Sequence, residues 1–99
     1  MKIRLTSAAE ADFAEAAGYY NEAEEGLGSI FINAVNTTVS KIGKYPFLGQ
    51  VKRKSIRSIA TSRFPFNIIY EIIKDEIVIH AIAHHSQKPD YWVDRTLED

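Results

Sequence analysis

An α+β fold is what the sequence predicts: an N-terminal strand, a helical hairpin, then a three-stranded antiparallel meander, in the order β-α-α-β-β-β, with the helices on one face of the sheet. Three observations predict it. Apolar residues recur at three- and four-residue spacing through residues 7–42, β-branched and aromatic residues dominate three runs within residues 56–84, and glycine and proline punctuate the chain between them. At 99 residues, 45% hydrophobic and 11% aromatic, the chain is expected to be one domain over residues 1–99, with one core and no room for a second.

Residues 2–6 alternate, with Ile3 and Leu5 on one side, as a strand that buries one face does. Ser7 followed by Glu10 reads as a capping box, in which hydroxyl and carboxylate satisfy amide donors that the first helical turn leaves free. From there Ala9, Phe13, Ala16, Ala17 and Tyr20 form an apolar stripe, and Glu10, Asp12, Glu15 and Glu22 fall on the solvated side. Glu24-Glu25-Gly26 marks the end of that helix. Leu27, Ile30, Phe31, Ala34, Val35, Val39 and Ile42 repeat the spacing until Gly43 and Pro46 stop it, so a second helix folds back on the first.

Residues 47–54 read as a polar, glycine-containing loop. Strands are expected over residues 56–61, 66–73 and 77–84, the last two joined by a turn at Lys74-Asp75-Glu76. A helical hairpin covers only one face of such a sheet, which leaves the other free to bind something. The tail, residues 85–99, breaks the apolar pattern and carries Pro89, Tyr91, Trp92 and Arg95 without reading as core.

Zero cysteines remove a disulfide framework and any thiolate zinc site, which favours a reducing compartment. No apolar run approaches membrane-spanning length and the N-terminus lacks the apolar block of a signal peptide, so a cytoplasmic protein with no membrane partner is expected. Net charge is only -1, yet the charges are segregated. Residues 1–25 hold six acids, whereas residues 26–70 hold none and seven bases: Lys41, Lys44, Lys52, Arg53, Lys54, Arg57 and Arg63. A nearly neutral chain can thereby present a basic face to a macromolecular target.

The sequence holds no P-loop, dinucleotide fingerprint, nucleophile elbow or paired-carboxylate motif, so no cofactor is expected. Metal binding is set aside as well. On a strand, His80 and His84 share a face but stand roughly 13 Å apart at the ordinary rise, too far to share an ion. A histidine at a strand end serves either as a hydrogen-bonded structural residue or as a general base, and both remain open for His84, with the structural role favoured. Tyr91 and Trp92 either cover the sheet edge, which is favoured, or grip a partner.

Arg63-Phe64-Pro65-Phe66-Asn67-Ile68-Ile69-Tyr70, a charged turn, Ile77-Val78-Ile79 running to His84, then Lys88-Pro89-Asp90-Tyr91-Trp92 and Arg95 together resemble the RelE/ParE toxin superfamily. With the helical hairpin and the Tyr45-Pro46 stop, the resemblance spans nearly the whole chain. It implies the toxin half of a type II toxin-antitoxin pair, of the kind often called plasmid stabilisation proteins, wrapped and neutralised by a cognate antitoxin, with a homodimer or a heterotetramer with the antitoxin both open. Two mechanisms share the fold. RelE-like members are mRNA interferases that cut messenger RNA in the ribosome, driving a 2′-hydroxyl onto the neighbouring phosphate, and ParE-like members are gyrase inhibitors.

The nuclease branch carries lysines on the second strand, where this chain has Ser58 and Ala60, and an arginine three residues before the strand tyrosine, where it has Asn67. An arginine just after the last strand is replaced by Gln87. A metal-independent nuclease would have to use Arg63, His84, Lys88 and Tyr91 as its catalytic set. The departures favour the ParE-like branch, with Lys52, Arg53, Lys54, Arg57, Trp92 and Arg95 as target-binding residues, ahead of the endoribonuclease and of a non-toxic binding module that keeps the fold.

Overall fold

In the computed structural model, which describes residues 1–96, the chain runs through β1 (Lys2–Leu5), α1 (Ser7–Ala23), α2 (Leu27–Lys44), β2 (Gln50–Arg53), β3 (Ile56–Ala60), β4 (Phe66–Ile73) and β5 (Glu76–His84) to a short 3₁₀ turn, Val93–Thr96. Residues 97–99 of the expected tail lie outside the described residues. The strand-to-helix junction is one residue earlier than Ser7-Glu10 suggests. Thr6 keeps the extended backbone of the strand and its hydroxyl accepts from the Ala9 N–H at 3.1 Å, so Thr6 is the N-cap and Ser7 already helical. Gly26, at φ 89°, turns the chain between the helices, and Gly28 lets them close: a Cβ there would lie 2.6 Å from the Ala17 carbonyl oxygen.

The sheet has five strands, ordered β1-β5-β4-β3-β2, with β1 parallel to β5 and every other pair antiparallel. The expected meander is β3-β4-β5. The segment read as a loop over residues 47–54 contains β2, an edge strand whose four residues are all exposed, so no alternation marks it in the sequence. The β4–β5 turn is two residues long: Ile73 pairs with Glu76, which belongs to β5, and Lys74 takes the left-handed conformation at φ 57°.

β5 carries a bulge that resets its faces. Ile69 pairs with Ala81 but Tyr70 pairs with Ile79, which leaves His80 as the extra residue. Ile79 and Ile82, three apart, therefore both join the core beneath the helices with Phe31, Ile68 and Tyr70, whereas Ala81 and Ala83 join a second cluster on the opposite face with Ile56, Ile69 and Trp92. His80 and His84 consequently lie on opposite faces, contrary to the expectation from an unbroken strand. His80 meets Glu71, and His84 sets its ring edge-on to Phe66 at 4.9 Å.

The helix-side core is built around Phe31, fully buried with Tyr20, Phe64 and Phe66 at 5.0 to 5.3 Å between ring centroids. The opposite face is not free as expected. The tail crosses it and buries Trp92, at 4% exposure, against Ile56, Ile69, Ala81 and Ala83. Among the described residues no helix is long and apolar enough to cross a membrane.

Candidate functional site

Between the tail and the uncovered part of the sheet lies a cleft of about 460 Å³. Its floor is Ser58 of β3, Asn67 and Ile69 of β4 and Ala83 of β5, and its rim is Lys52, His85, Lys88 and Tyr91. Strand alternation explains the floor, because Ser58, Asn67 and Ala83 all point away from the helices and pair across neighbouring strands. The floor carries no charge. Asn67 makes one side-chain contact there, its Oδ1 lying 3.3 Å from His85 Nε2.

Three of the four residues named for RNA cleavage line this cleft and one does not. Lys88 and Tyr91 are on its wall, and His84 borders it from the end of β5 with its ring turned to Phe66 on the helix side, while Arg63 is exposed on the β3–β4 turn, in the left-handed conformation at φ 72°. The His84 ring is fixed by its neighbour: Nδ1 accepts from the Ser86 N–H at 2.9 Å and lies 2.7 Å from Ser86 Oγ, so the neutral ring carries its proton on Nε2. Gln87 Oε1 accepts from the His84 N–H at 2.8 Å, which makes it a turn-former after the last strand. The Tyr91 hydroxyl is buried without a hydrogen-bond partner, and burial, then the nearby Asp12 carboxylate, push the phenol above its ordinary value of 10.0.

The residues named for target binding divide in the same way. Lys52, Arg53 and Lys54 are exposed along the β2 edge and its turn. Arg57 points to the helix side, where its guanidinium donates to the carbonyls of Phe47 (3.1 Å) and Gly49 (2.8 Å) and lies 5.0 Å from the centre of the Phe47 ring. It is a structural clamp on the loop before β2. Trp92 and Arg95 anchor the tail: Trp92 is buried in the second core, and the Arg95 guanidinium is committed to an ion pair.

That ion pair is a residue constellation the sequence did not reveal. Arg95 Nη1 donates to Asp12 Oδ2 at 2.7 Å and to the His80 carbonyl at 3.0 Å, and Asp12 Oδ2 also accepts from the Ile82 N–H at 3.1 Å. β1 ends at Leu5, so the β5 edge beyond Ile79 lacks a strand partner, and the bulge turns the His80 carbonyl outward. Asp12 and Arg95 satisfy these groups in place of a strand. The guanidinium is held charged even more firmly than usual, chiefly by the hydrogen bond to Asp12. Asp12 and Arg95 are 83 positions apart, so no local spacing announces the pair.

On the tail side of the sheet His80 Nε2 and Glu71 Oε1 are 2.9 Å apart, and Glu71 Oε2 accepts from Ser55 Oγ at 2.6 Å. Among the described residues no group of three or more histidine, cysteine or acidic side chains is placed to hold a metal ion.

Residues 3–89 match the family model described as the ParE toxin of the type II toxin-antitoxin system parDE. The chain belongs to the ParE toxin family. Its fold is also that of a solved chain from the chromosomal ParDE TA system of P. aeruginosa, with a TM-score of 0.66 at 20% identity over 85% of this chain and 95% of that one. No curated protein matches the sequence. The superfamily resemblance read from Arg63 to Arg95 is thus a membership, on the ParE branch, and this ParE toxin keeps the strand-hairpin-sheet frame through residues that are largely apolar and buried. Its uncharged Ser58 and Asn67, where the nuclease branch has charge, form the cleft floor.

Proposed function

We propose that this ParE toxin arrests its host from within the cytoplasm by binding a macromolecular target, DNA gyrase first among them, and that a cognate antitoxin neutralises it by covering its surface. The observation that carries this reading is where the cations lie. Arg53 and Lys54 follow the β2 edge and its turn, Arg63 sits on the β3–β4 turn outside the cleft, and only Lys52 and Lys88 reach the cleft rim, so most of the basic side chains spread over a surface rather than converge on a point. Phosphoryl chemistry asks for the opposite: cations and a proton carrier within hydrogen-bond reach of one phosphate. A dispersed basic edge suits steering and docking onto an acidic partner.

A second reading, ribosome-dependent RNA cleavage, draws on His84 and Lys88 sharing the cleft with His84 held in one orientation. One induced culture separates the readings. Loss of negative supercoiling with intact transcripts is expected, and rapid transcript cleavage at normal supercoiling would overturn the binding mechanism. Unimpaired growth in the absence of the neighbouring small gene would overturn both and leave a non-toxic binding module. Arg63→Ala is expected to weaken toxicity without changing the melting temperature.

A further inference from the structure

The connection from α2 to β2 exposes three large apolar side chains in four residues: Tyr45 at 64%, Phe47 at 67% and Leu48 at 51%. Val51, half exposed on β2, extends the patch, because it pairs with Arg57 and so points to the side from which Arg57 reaches Phe47. Isolated exposed apolar residues need no explanation, but a contiguous cluster on a small monomer marks an interaction surface.

This loop is also held more firmly than a connector requires. The buried Tyr70 hydroxyl donates to the Pro46 carbonyl and accepts from the Gly49 N–H, both at 2.8 Å. Arg57 grips the carbonyls of Phe47 and Gly49 from the other side. Gly49 has no freedom to be another residue without displacement, since a Cβ would stand 2.6 Å from the Tyr70 oxygen. The half-buried Arg57 of β3 and the buried Tyr70 of β4 thus fix the loop backbone while its side chains project outward. Preorganised aromatic and aliphatic anchors of this kind are what protein interfaces concentrate their binding energy in.

The surrounding charge identifies the partner. Lys41 and Lys44 end α2, Lys52, Arg53 and Lys54 follow on β2, and residues 26–70 contain no acid. Among the described residues none of these bases is paired with a carboxylate. We infer that the rigid loop of Tyr45, Phe47 and Leu48 is the anchor by which the toxin docks on its target, and that the target is a protein presenting an apolar pocket rimmed by carboxylates. A nucleic acid fits less well: bases stack on flat aromatic faces, whereas Leu48 and Val51 offer none and the Phe47 ring is already flanked by Arg57.

The inference rests on the binding-toxin reading and is tested separately from it. Phe47→Ser/Leu48→Ser in the full chain keeps every hydrogen bond from Tyr70 and Arg57, because these go to loop backbone groups, and gives up only the exposed packing of Phe47 on Arg57, so its melting temperature and soluble yield should stay close to wild type. The inducer level needed for growth arrest is expected to rise at least tenfold. Of two single variants, Leu48→Asp should weaken toxicity more than Leu48→Lys, because only the acid meets a like-charged rim. Wild-type arrest that the double variant leaves undiminished overturns this inference alone, and a wild-type chain that permits growth overturns the toxin reading and this inference with it. Three other results also overturn it: equal loss from Asp and Lys at position 48, loss of binding to a single-stranded oligonucleotide by the double variant, or toxicity intact while the neighbouring antitoxin no longer neutralises.

Discussion

The two faces of the sheet are covered by different means. Beneath the helices, two long elements seal an apolar core with Phe31, Ile68, Tyr70 and Ile79 at its centre, closed chiefly by shape and hydrophobicity. On the opposite face a tail without regular strands covers half the sheet, pinned by one tryptophan and one ion pair, and the rest remains an open cleft with an uncharged floor. Such a contrast teaches where the fold resides. Apolar layers tolerate drift as long as volume and pattern persist, so the frame identifies the family.

The comparison breaks most visibly at Phe31. Truncation to alanine at this fully buried site should cost about 3–5 kcal/mol in chemical denaturation, whereas a comparable loss from a tail substitution would show that the two faces are equal partners. Arg95→Met keeps much of the apolar stem but leaves Asp12 and the His80 carbonyl short of a donor; about 2 kcal/mol is expected, with the tail becoming the first site of proteolysis. Tyr70→Phe leaves the core filled and removes both loop bonds, for about 1–2 kcal/mol, because the Gly49 N–H is left buried without an acceptor while the half-buried Pro46 carbonyl can still reach water.

The smallest effect concerns pH. Burial and Asp12 raise the Tyr91 phenol above 10.0, so the folded state holds that proton more tightly than the unfolded chain. Its contribution is complete below about pH 10 and is lost as pH rises from there through the higher folded value. Tyr91→Phe should therefore flatten the alkaline fall in stability while leaving the neutral range unchanged, and an unaltered alkaline limb would place the hydroxyl in solvent.

What was legible in the sequence follows the same division. Both helices and β3 to β5 declare themselves because their burial repeats at 3.6 or two residues, and the family frame followed from them. β2 was illegible because an edge strand exposed on both faces has no period, and because Phe47, Leu48 and Val51 sit in a segment whose glycine and charges read as loop. The bulge at His80 was masked because Ala81 and Ala83 make β5 apolar on both faces, so the three-residue step from Ile79 to Ile82 went unnoticed. The pin formed by Arg95 and Asp12 is illegible because the two are distant in sequence, and local polarity gives no sign of a long-range pair, whereas the covering role of Trp92 is one of the two that the sequence leaves open. Of the proposed site residues, the exposure of Lys52, Arg53 and Lys54 follows from charge alone, since nothing in the fold consumes them.

The central claim is that this ParE toxin acts by binding rather than cutting, and it is tested most directly by following transcript integrity and plasmid supercoiling in one culture after induction without the antitoxin. The account predicts relaxed plasmid and full-length transcripts at the onset of growth arrest. Fragmented transcripts beside normally supercoiled plasmid would contradict it.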